Sequence, residues 1–277
     1  MGQVPKEETF EGAGGLKIFM RSWRPDGAPR AIVVISHGFN SHSGQYVWVA
    51  EQLAAKGFAV YAHDYRGRGL SEGERFHVEH VNEYVGDLVQ VVGIAKARDP
   101  GLPVYVLGHS AGGVIASTYA LDHQADIAGL VCESFAFRVP APDIALQVIK
   151  GVSHVAPDIP ILKLKNVDFS RDPAVVKAMN EDPLIHDETQ PSITVAALQR
   201  ADERLTKEIP TITLPVLILH GTEDKATLPK GSQFFYDHAG SKDKTLKLYE
   251  GHYHDLLADV GKEGVLGDIV GWIEARI

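Results

Sequence analysis

The stretch VYVLGHSAGGVIA, residues 104–116, joins an apolar run to a glycine-rich turn and then to a run that favours a helix. Its centre, Gly108-His109-Ser110-Ala111-Gly112, has the pattern Gly-x-Ser-x-Gly. In a strand–turn–helix, this pattern places the serine on a tight turn with its hydroxyl above the end of the sheet. We therefore predict that Ser110 is a nucleophile. The alternative is a glycine-rich turn in an ordinary strand–helix unit.

Apolar runs on both sides of this stretch alternate with amphipathic segments, a pattern typical of an α/β fold with a mostly parallel central sheet flanked by helices. Residues 7–24 predict a hairpin that turns at 13–15, and the weaker alternation at 246–249 favours an edge strand. The remaining strands are predicted at 31–35, 58–62, 104–107, 127–132 and 216–219, and helices near 45–56, 80–97, 112–123, 228–238 and 262–276.

Residues 135–210 break this alternation and are rich in proline. They interrupt the sheet between two long strands, so we predict that they form a cap over the carboxyl ends of the strands. The catalytic domain would then comprise 1–134 and 211–277. Within the cap, apolar side chains recur at helical intervals, and we expect them to form a substrate wall, although ordinary core packing would give the same pattern. They are Ile144, Val148, Val152 and Val155, followed by 159–162.

The bulk composition is that of an ordinary globular protein. The 277 residues carry a net charge of -9, which gives no electrostatic case for binding nucleic acid. Cys132 is the lone cysteine, so the fold does not depend on an oxidising compartment. The sequence also lacks an apolar signal segment and a membrane-spanning run. We expect a cytoplasmic enzyme without cofactor or metal, touching a lipid interface at most transiently through the cap.

A serine nucleophile of this kind needs two backbone N–H groups that stabilise the developing oxyanion. Ala111 offers one, directly after the nucleophile. The second is expected from the loop after the strand that ends at Ser36, where Gly38 allows a turn and Phe39 is the natural donor. His37 precedes this turn, and we interpret it as structural rather than as a base.

The general base should be one of 13 histidines. In the order of this strand–turn–helix class, the acid follows the nucleophile and the histidine comes last. His254 stands at the end of the loop between the last strand and the last helix, and His252 is its rival; a His-x-His metal site would need a second cluster of ligands. For the acid, Asp224 and Glu223 both follow the strand at 216–219, and spacing does not separate them.

The motifs taken together resemble the monoacylglycerol lipase and lysophospholipase-like branch of the α/β-hydrolases, a branch also described as serine aminopeptidases. They are His37-Gly38, His42-Ser43-Gly44 with Tyr46, the run 64–71 (DYRGRGLS), Gly108-His109-Ser110, the run 220–224 (HGTED), and 248–251 (LYEG) with Tyr253-His254. The resemblance implies an α/β-hydrolase fold with an inserted cap over an acyl tunnel. It also implies a triad of Ser110, Asp224 and His254 with oxyanion donors Phe39 and Ala111.

Three positions depart from the family pattern. Ala111 replaces a methionine, which should leave the chemistry intact because only its backbone is used. Ser41 and Gln45 replace a glutamate and an arginine that help to hold a glycerol head in some members. These losses move the expectation from a strict monoacylglycerol lipase towards a broader carboxylesterase of medium-chain acyl esters, with Ile144 and Val148 binding the chain.

Other functions remain as alternatives. An aminopeptidase would need an acid in the cap to hold the substrate amine, and Asp143, Asp158 and Glu181 are available. A binding protein on an idle hydrolase scaffold belongs to a different class, and a complete triad speaks against it. Dehalogenases and epoxide hydrolases of this fold need aspartate in place of Ser110. No nucleotide fingerprint is present, because Glu72 stands where the third glycine of that motif should be.

Overall fold

The computed structural model describes residues 4–137 and 149–277 of the chain. Its centre is an eight-stranded sheet in the order β1-β2-β4-β3-β5-β6-β9-β10. All neighbours from β4 to β10 run parallel, and β2 pairs antiparallel with both β1 and β4. The strands are β1 (Lys6–Glu11), β2 (Lys17–Trp23), β3 (Ala31–Ser36), β4 (Phe58–His63), β5 (Val104–His109), β6 (Gly129–Glu133), β9 (Val216–Gly221) and β10 (Lys244–Tyr249).

Helices cover both faces of the sheet, so the central strands are buried along their whole length and mostly apolar. They are α1 (Val47–Ala55), α2 (Val81–Arg98), α3 (Ala111–His123), α6 (Pro229–His238) and α7 (Lys262–Glu274). Side chains of α2, α3 and α6 share one buried cluster with the sheet. Those of α1 and α7 share the other cluster, on the opposite face. The predicted fold class, hairpin and flanking helices are confirmed.

The chain between β6 and β9 adds a small layer outside the sheet. It contains a short antiparallel pair, β7 (Pro160–Leu162) and β8 (Gln190–Pro191), and two helices, α4 (Pro173–Glu181) and α5 (Ser192–Glu208). Phe169, Met179 and Ile185 form a small apolar cluster of their own within it. This segment contains the predicted cap, residues 135–210, whose division from the rest of the chain stays a prediction. No helix among the described residues is long and apolar enough to cross a membrane.

Candidate active site

Ser110 lies on a strained turn between β5 and α3. Its φ is +55°, in the left-handed region that costs a non-glycine residue free energy. The turn closes only because its neighbours lack side chains: a Cβ at Gly108 would come within 2.5 Å of the carbonyl oxygen of Gly112. Ser110 donates its N–H to the carbonyl of Glu133 on β6 at 2.9 Å. The glycines of the motif therefore hold the serine at the carboxyl end of the parallel sheet.

The structure brings together the three predicted triad residues. Nε2 of His254 lies 2.8 Å from Oγ of Ser110, and its Nδ1 lies 2.8 Å from Oδ2 of Asp224. All three side chains are buried, and the His254 ring packs edge-on against Phe169 with 4.9 Å between ring centroids. A serine, an imidazole and a carboxylate are thus connected in one hydrogen-bonded chain that can carry a proton away from the serine hydroxyl.

Asp224 is held as an anion by the loop that carries it. Its Oδ1 accepts the N–H groups of Ala226 and Thr227 at 2.8 and 2.9 Å, and its Oδ2 accepts the Thr227 hydroxyl at 2.8 Å. Burial opposes ionisation, but the facing His254 and His220 outweigh it and hold the pKa of Asp224 well below its usual range. The carboxylate is therefore ionised at neutral pH.

The rival residues from the sequence lie elsewhere. Glu223 is exposed to solvent. His252 turns away from Ser110 towards Asp259, with Nδ1 3.7 Å from the carboxylate, and its ring packs beside Tyr249. His37 is buried, and its ring nitrogens are used in hydrogen bonds to the backbone. Its Nε2 accepts the N–H of Tyr65 at 3.1 Å. Burial holds the pKa of His37 well below its ordinary value.

The residues of the two predicted oxyanion donors, Phe39 and Ala111, line the same cavity as Ser110. The loop after β3 can reach the nucleophile only because Gly38 and Gly112 are glycines. A Cβ at Gly38 would lie 3.0 Å from that of Ser110, and one at Gly112 would collide with the carbonyl oxygens of Ser36 and His37.

This cavity has a volume of about 390 Å³ and is lined mainly by apolar side chains. Its apolar lining includes Ala136, Ile149, Ile161, Leu162, Leu164 and Leu198. Part of the predicted wall is wrong: Val155 is 84% exposed, because the chain turns outward after the helical residues 149–152, and Val152 does not line the cavity. Ile144 and Val148 lie outside the described residues, so their predicted contact with the chain stays a prediction.

Two of the acids proposed for binding an amine, Asp158 and Glu181, do not line this cavity. Asp158 pairs with His77 at 3.6 Å and is 73% exposed. Glu181 pairs with Lys177 along α4, and its side chain is 63% exposed. Asp143 lies outside the described residues. Among the described residues, the acids that line the cavity are Asp168 and Asp202.

Four residues of the site were missed by the sequence analysis. His220 and Thr227 support Asp224, Phe169 packs on His254, and the buried Glu133 accepts the Ser110 N–H through its carbonyl. A signal existed for two of them. Thr227 follows Asp224 at the spacing of a side-chain turn, and Glu133 is a charged residue in an otherwise apolar buried strand.

Glu133, His109 and Asp255 are the one group that could hold a cation among residues 4–137 and 149–277, since their ligand atoms lie within 4.8 Å of one another. Burial raises the pKa of Glu133 well above its ordinary value, and the charge of Asp255 adds to this. Both carboxyls would have to lose any bound proton before they could coordinate a cation. The absence of a metal in the working enzyme therefore stays a prediction.

Comparisons with known proteins agree with this geometry. The family described as serine aminopeptidase, S33, matches residues 27–261. A monoacylglycerol lipase of Mycolicibacterium smegmatis is 36% identical over 98% of both chains. The human monoglyceride lipase is 35% identical over 95% of this chain and 89% of its own. The crystal structure of Paleococcus ferrophilus monoacylglycerol lipase superposes with a TM-score of 0.85 at 31% identity, covering 94% of this chain and 99% of the other.

Proposed function

The chain belongs to the α/β-hydrolase family described as serine aminopeptidase, S33, alongside the monoacylglycerol lipases, and on that premise we propose that it is a serine ester hydrolase acting on medium-chain acyl esters. The observation that carries this proposal is the series of hydrogen bonds from Asp224 through His254 to Ser110, which ends at a mainly apolar cavity of about 390 Å³. A nucleophile at the mouth of an apolar cavity suits an ester whose acyl part is a hydrocarbon chain.

In the first half of the reaction, Oγ of Ser110 attacks the ester carbonyl carbon while Nε2 of His254 takes its proton. The carbonyl π electrons move onto oxygen, and the N–H groups of Phe39 and Ala111 donate to that oxyanion. The oxyanion then re-forms the carbonyl and expels the alcohol oxygen, which receives the proton from His254. Asp224 stabilises the imidazolium and keeps the correct nitrogen facing the serine. An acyl-enzyme on Ser110 remains.

Water completes the reaction by the same steps. His254 takes a proton from water as its oxygen attacks the acyl carbon, and the proton returns to Oγ of Ser110 when the carboxylic acid leaves. Every group in this scheme comes from the chain itself, so the proposal requires no cofactor.

An ester substrate fits the site better than an aminoacyl peptide. The cavity walls are mainly apolar, and Asp158 and Glu181, two of the acids proposed from the sequence to bind an amine, are exposed and do not line it. Asp168 and Asp202 do line it, so the aminoacyl amides stay in the test below as the competing substrates. On the alcohol side, Ser41 and Gln45 offer no charge to a glycerol head, which favours a broader range of alcohols.

We also infer a cytoplasmic enzyme that meets its substrate at a lipid interface only transiently. The lone Cys132 is buried, so the fold has no need of an oxidising compartment. The segment between β6 and β9 exposes Val155, Ile159 and Val167, which suits brief contact with an apolar surface.

The test is a panel of nitrophenyl esters from about two to sixteen carbons, with monoacylglycerol and aminoacyl amides alongside. We expect ester hydrolysis that rises to a plateau at about eight to twelve carbons, and labelling of Ser110 by a fluorophosphonate. Ser110→Ala is the control for both assays. Faster turnover of the aminoacyl amides would favour the aminopeptidase, and a wild-type protein without labelling would indicate a binding protein.

A further inference from the structure

A buried ion pair lies directly behind the loop that carries Phe39. Arg68, in the loop after β4, pairs with Glu188, in the segment between β6 and β9, and each side chain is only 1% exposed. Gln190 completes the group: its side-chain oxygen accepts from Nη2 of Arg68 and its amide donates to Glu188, both at 2.6 Å. Three distant parts of the chain therefore meet at this point.

Glu188 binds the backbone of the loop itself. Its Oε1 accepts the N–H of Asn40 at 3.0 Å in a buried environment. Asn40 has a φ of +53°, a left-handed conformation that asparagine adopts more readily than most other non-glycine residues. Asn40 directly follows Phe39 in the chain. The N–H of Phe39 is the proposed second oxyanion donor.

Arg68 contacts the other side of the same turn. Its guanidinium lies 4.0 Å above the centroid of the Phe39 ring, a distance at which a cation and an aromatic face attract one another. The ion pair thus touches both residues that define the turn: Glu188 holds the Asn40 amide and Arg68 supports the Phe39 ring. A shift of Glu188 would rotate the Phe39–Asn40 peptide and, through the dihedral angles of Phe39, change the direction of the Gly38–Phe39 peptide, which carries the Phe39 N–H.

A contribution to the stability of the fold does not by itself explain the Arg68–Glu188 ion pair. Removing two charges from water is costly, and a buried ion pair often adds little to stability compared with apolar side chains of similar size. Among the described residues, Oε2 of Glu188 is also buried without a hydrogen-bond partner, which adds to the cost. An arrangement that costs free energy and touches an active-site loop points to a role in that site.

We propose that Glu188 is a positioning residue of the oxyanion hole, which fixes the Asn40 amide and thereby aims the Phe39 N–H at the substrate oxygen. This inference rests on the proposed function of Ser110 and its two oxyanion donors. It also makes the segment between β6 and β9 part of the catalytic apparatus, because this segment supplies the residue that sets the loop.

The role predicts a specific kinetic signature. The Phe39 N–H contributes mainly when charge has developed on the oxygen, so its misplacement lowers kcat and leaves KM nearly unchanged. Loss of one oxyanion donor costs about 10²–10³-fold in kcat. A donor that is displaced rather than lost should cost less, and we expect a decrease of about 10-fold or more.

Two substitutions of Glu188 separate the effect of side-chain length from the effect of its negative charge. Glu188→Asp keeps the charge but withdraws the acceptor from Asn40 by one methylene. Glu188→Gln keeps an oxygen within reach of Asn40 but loses the charge that faces Arg68. If Glu188 positions the loop, Glu188→Asp should lower kcat about 10-fold, whereas Glu188→Gln should keep most of the wild-type kcat. A role limited to the ion pair predicts the reverse order, with Gln the more damaged variant.

The matched control is the other buried arginine–carboxylate pair of the same loop. Asp87 accepts two hydrogen bonds of 2.8 Å from Arg66 and is fully buried, and its other hydrogen bond comes from the N–H of Ala13, far in the chain from the loop after β3. Asp87→Asn removes charge beside a buried guanidinium, as Glu188→Gln does. We expect a lower melting temperature with a kcat within about twofold of the wild type.

The measurements are kcat and KM on nitrophenyl butyrate, the melting temperature, and the inhibition constant of an alkyl trifluoromethyl ketone. Oγ of Ser110 adds to the carbonyl carbon of this ketone and gives a tetrahedral oxyanion like that of ester hydrolysis. The affinity for the ketone should therefore fall together with kcat in Glu188→Asp. The inference is overturned if Glu188→Asp keeps wild-type kcat and ketone affinity, or if Glu188→Gln is the slower variant. Should Glu188→Asp not fold, a Glu188→Gln enzyme with ketone affinity reduced 10-fold or more overturns it equally. Failure of the proposed function would be seen separately, as a wild-type protein that neither hydrolyses the ester nor binds the ketone.

Discussion

Nε2 of His220 lies 3.1 Å from Oδ2 of Asp224, the carboxylate oxygen that also faces His254. His220 is fixed in turn by Ser232, whose Oγ lies 2.7 Å from its Nδ1. The Asp224 carboxylate therefore lies between two buried imidazoles, and its position is set by the end of β9 as well as by its own loop. Its exposed neighbour Glu223 shares none of these contacts.

Asp224→Asn should lower kcat by about 10⁴, because an amide no longer selects the imidazole tautomer and no longer stabilises the imidazolium. Glu223→Gln is the adjacent control and should stay within a few-fold of the wild type. Steady-state rates on one nitrophenyl ester measure both. The assignment of the acid fails if the Glu223 variant is the slower of the two.

Ser110→Ala should leave the fold intact and lower kcat by about 10⁴–10⁶. His254→Ala should do nearly the same, since nucleophile and base act as a unit. His252→Ala tests the choice between the two histidines of the loop, and it should be mild because His252 faces Asp259 rather than Ser110. An inactive His252→Ala enzyme beside an active His254→Ala enzyme would reverse our assignment.

The rate should rise with pH on the acid side and then level off. The pKa of Asp224 is held well below its usual range, so its protonation contributes no step above about pH 4. The remaining requirement is a general base that accepts the proton of Ser110, and an imidazole does so only in its neutral form. A profile of kcat/KM from about pH 5 to 9 measures this. A flat profile would contradict a histidine base.

Glu133→Gln should change how stability depends on pH. Burial and the charge of Asp255 raise the pKa of Glu133 in the folded state, so folding favours its protonated form. A carboxyl with a raised pKa contributes stability at pH values below its unfolded pKa and loses it as the pH rises. Glutamine has the same shape and does not titrate. The melting temperature of the variant relative to the wild type should therefore increase between about pH 5 and 8, and a constant difference would contradict a protonated Glu133.

Leu162→Asp should flatten the dependence of rate on acyl length. Leu162 lines the cavity, where each buried methylene adds up to about 0.8 kcal/mol, or roughly a fourfold gain in kcat/KM. Acetate hydrolysis should change little. Val155→Asp is the matched control, because Val155 belongs to the same segment but is 84% exposed. Equal losses on short and medium esters, with a lower melting temperature, would mean that Leu162 serves only the fold.

Most of the fold was predictable because it depends on patterns that lie close together in the chain. Apolar runs such as 31–35 identify buried parallel strands, and the glycines around Ser110 follow from the steric demands of a single turn. The order of nucleophile, acid and base narrowed the site to a few residues. It could not separate Glu223 from Asp224, since adjacent residues differ only in where the loop points them.

The sequence left undetermined what depends on contacts between distant segments. Glu188 lies 148 residues from Asn40, and Phe169 packs on His254 from a different segment of the chain. The position of Val155 also needed the structure, because helical periodicity identifies one face of a helix but not what that face meets. Local pattern fixes the conformation of a segment and the chemistry it carries; the path of the chain in three dimensions selects which of those groups share a site.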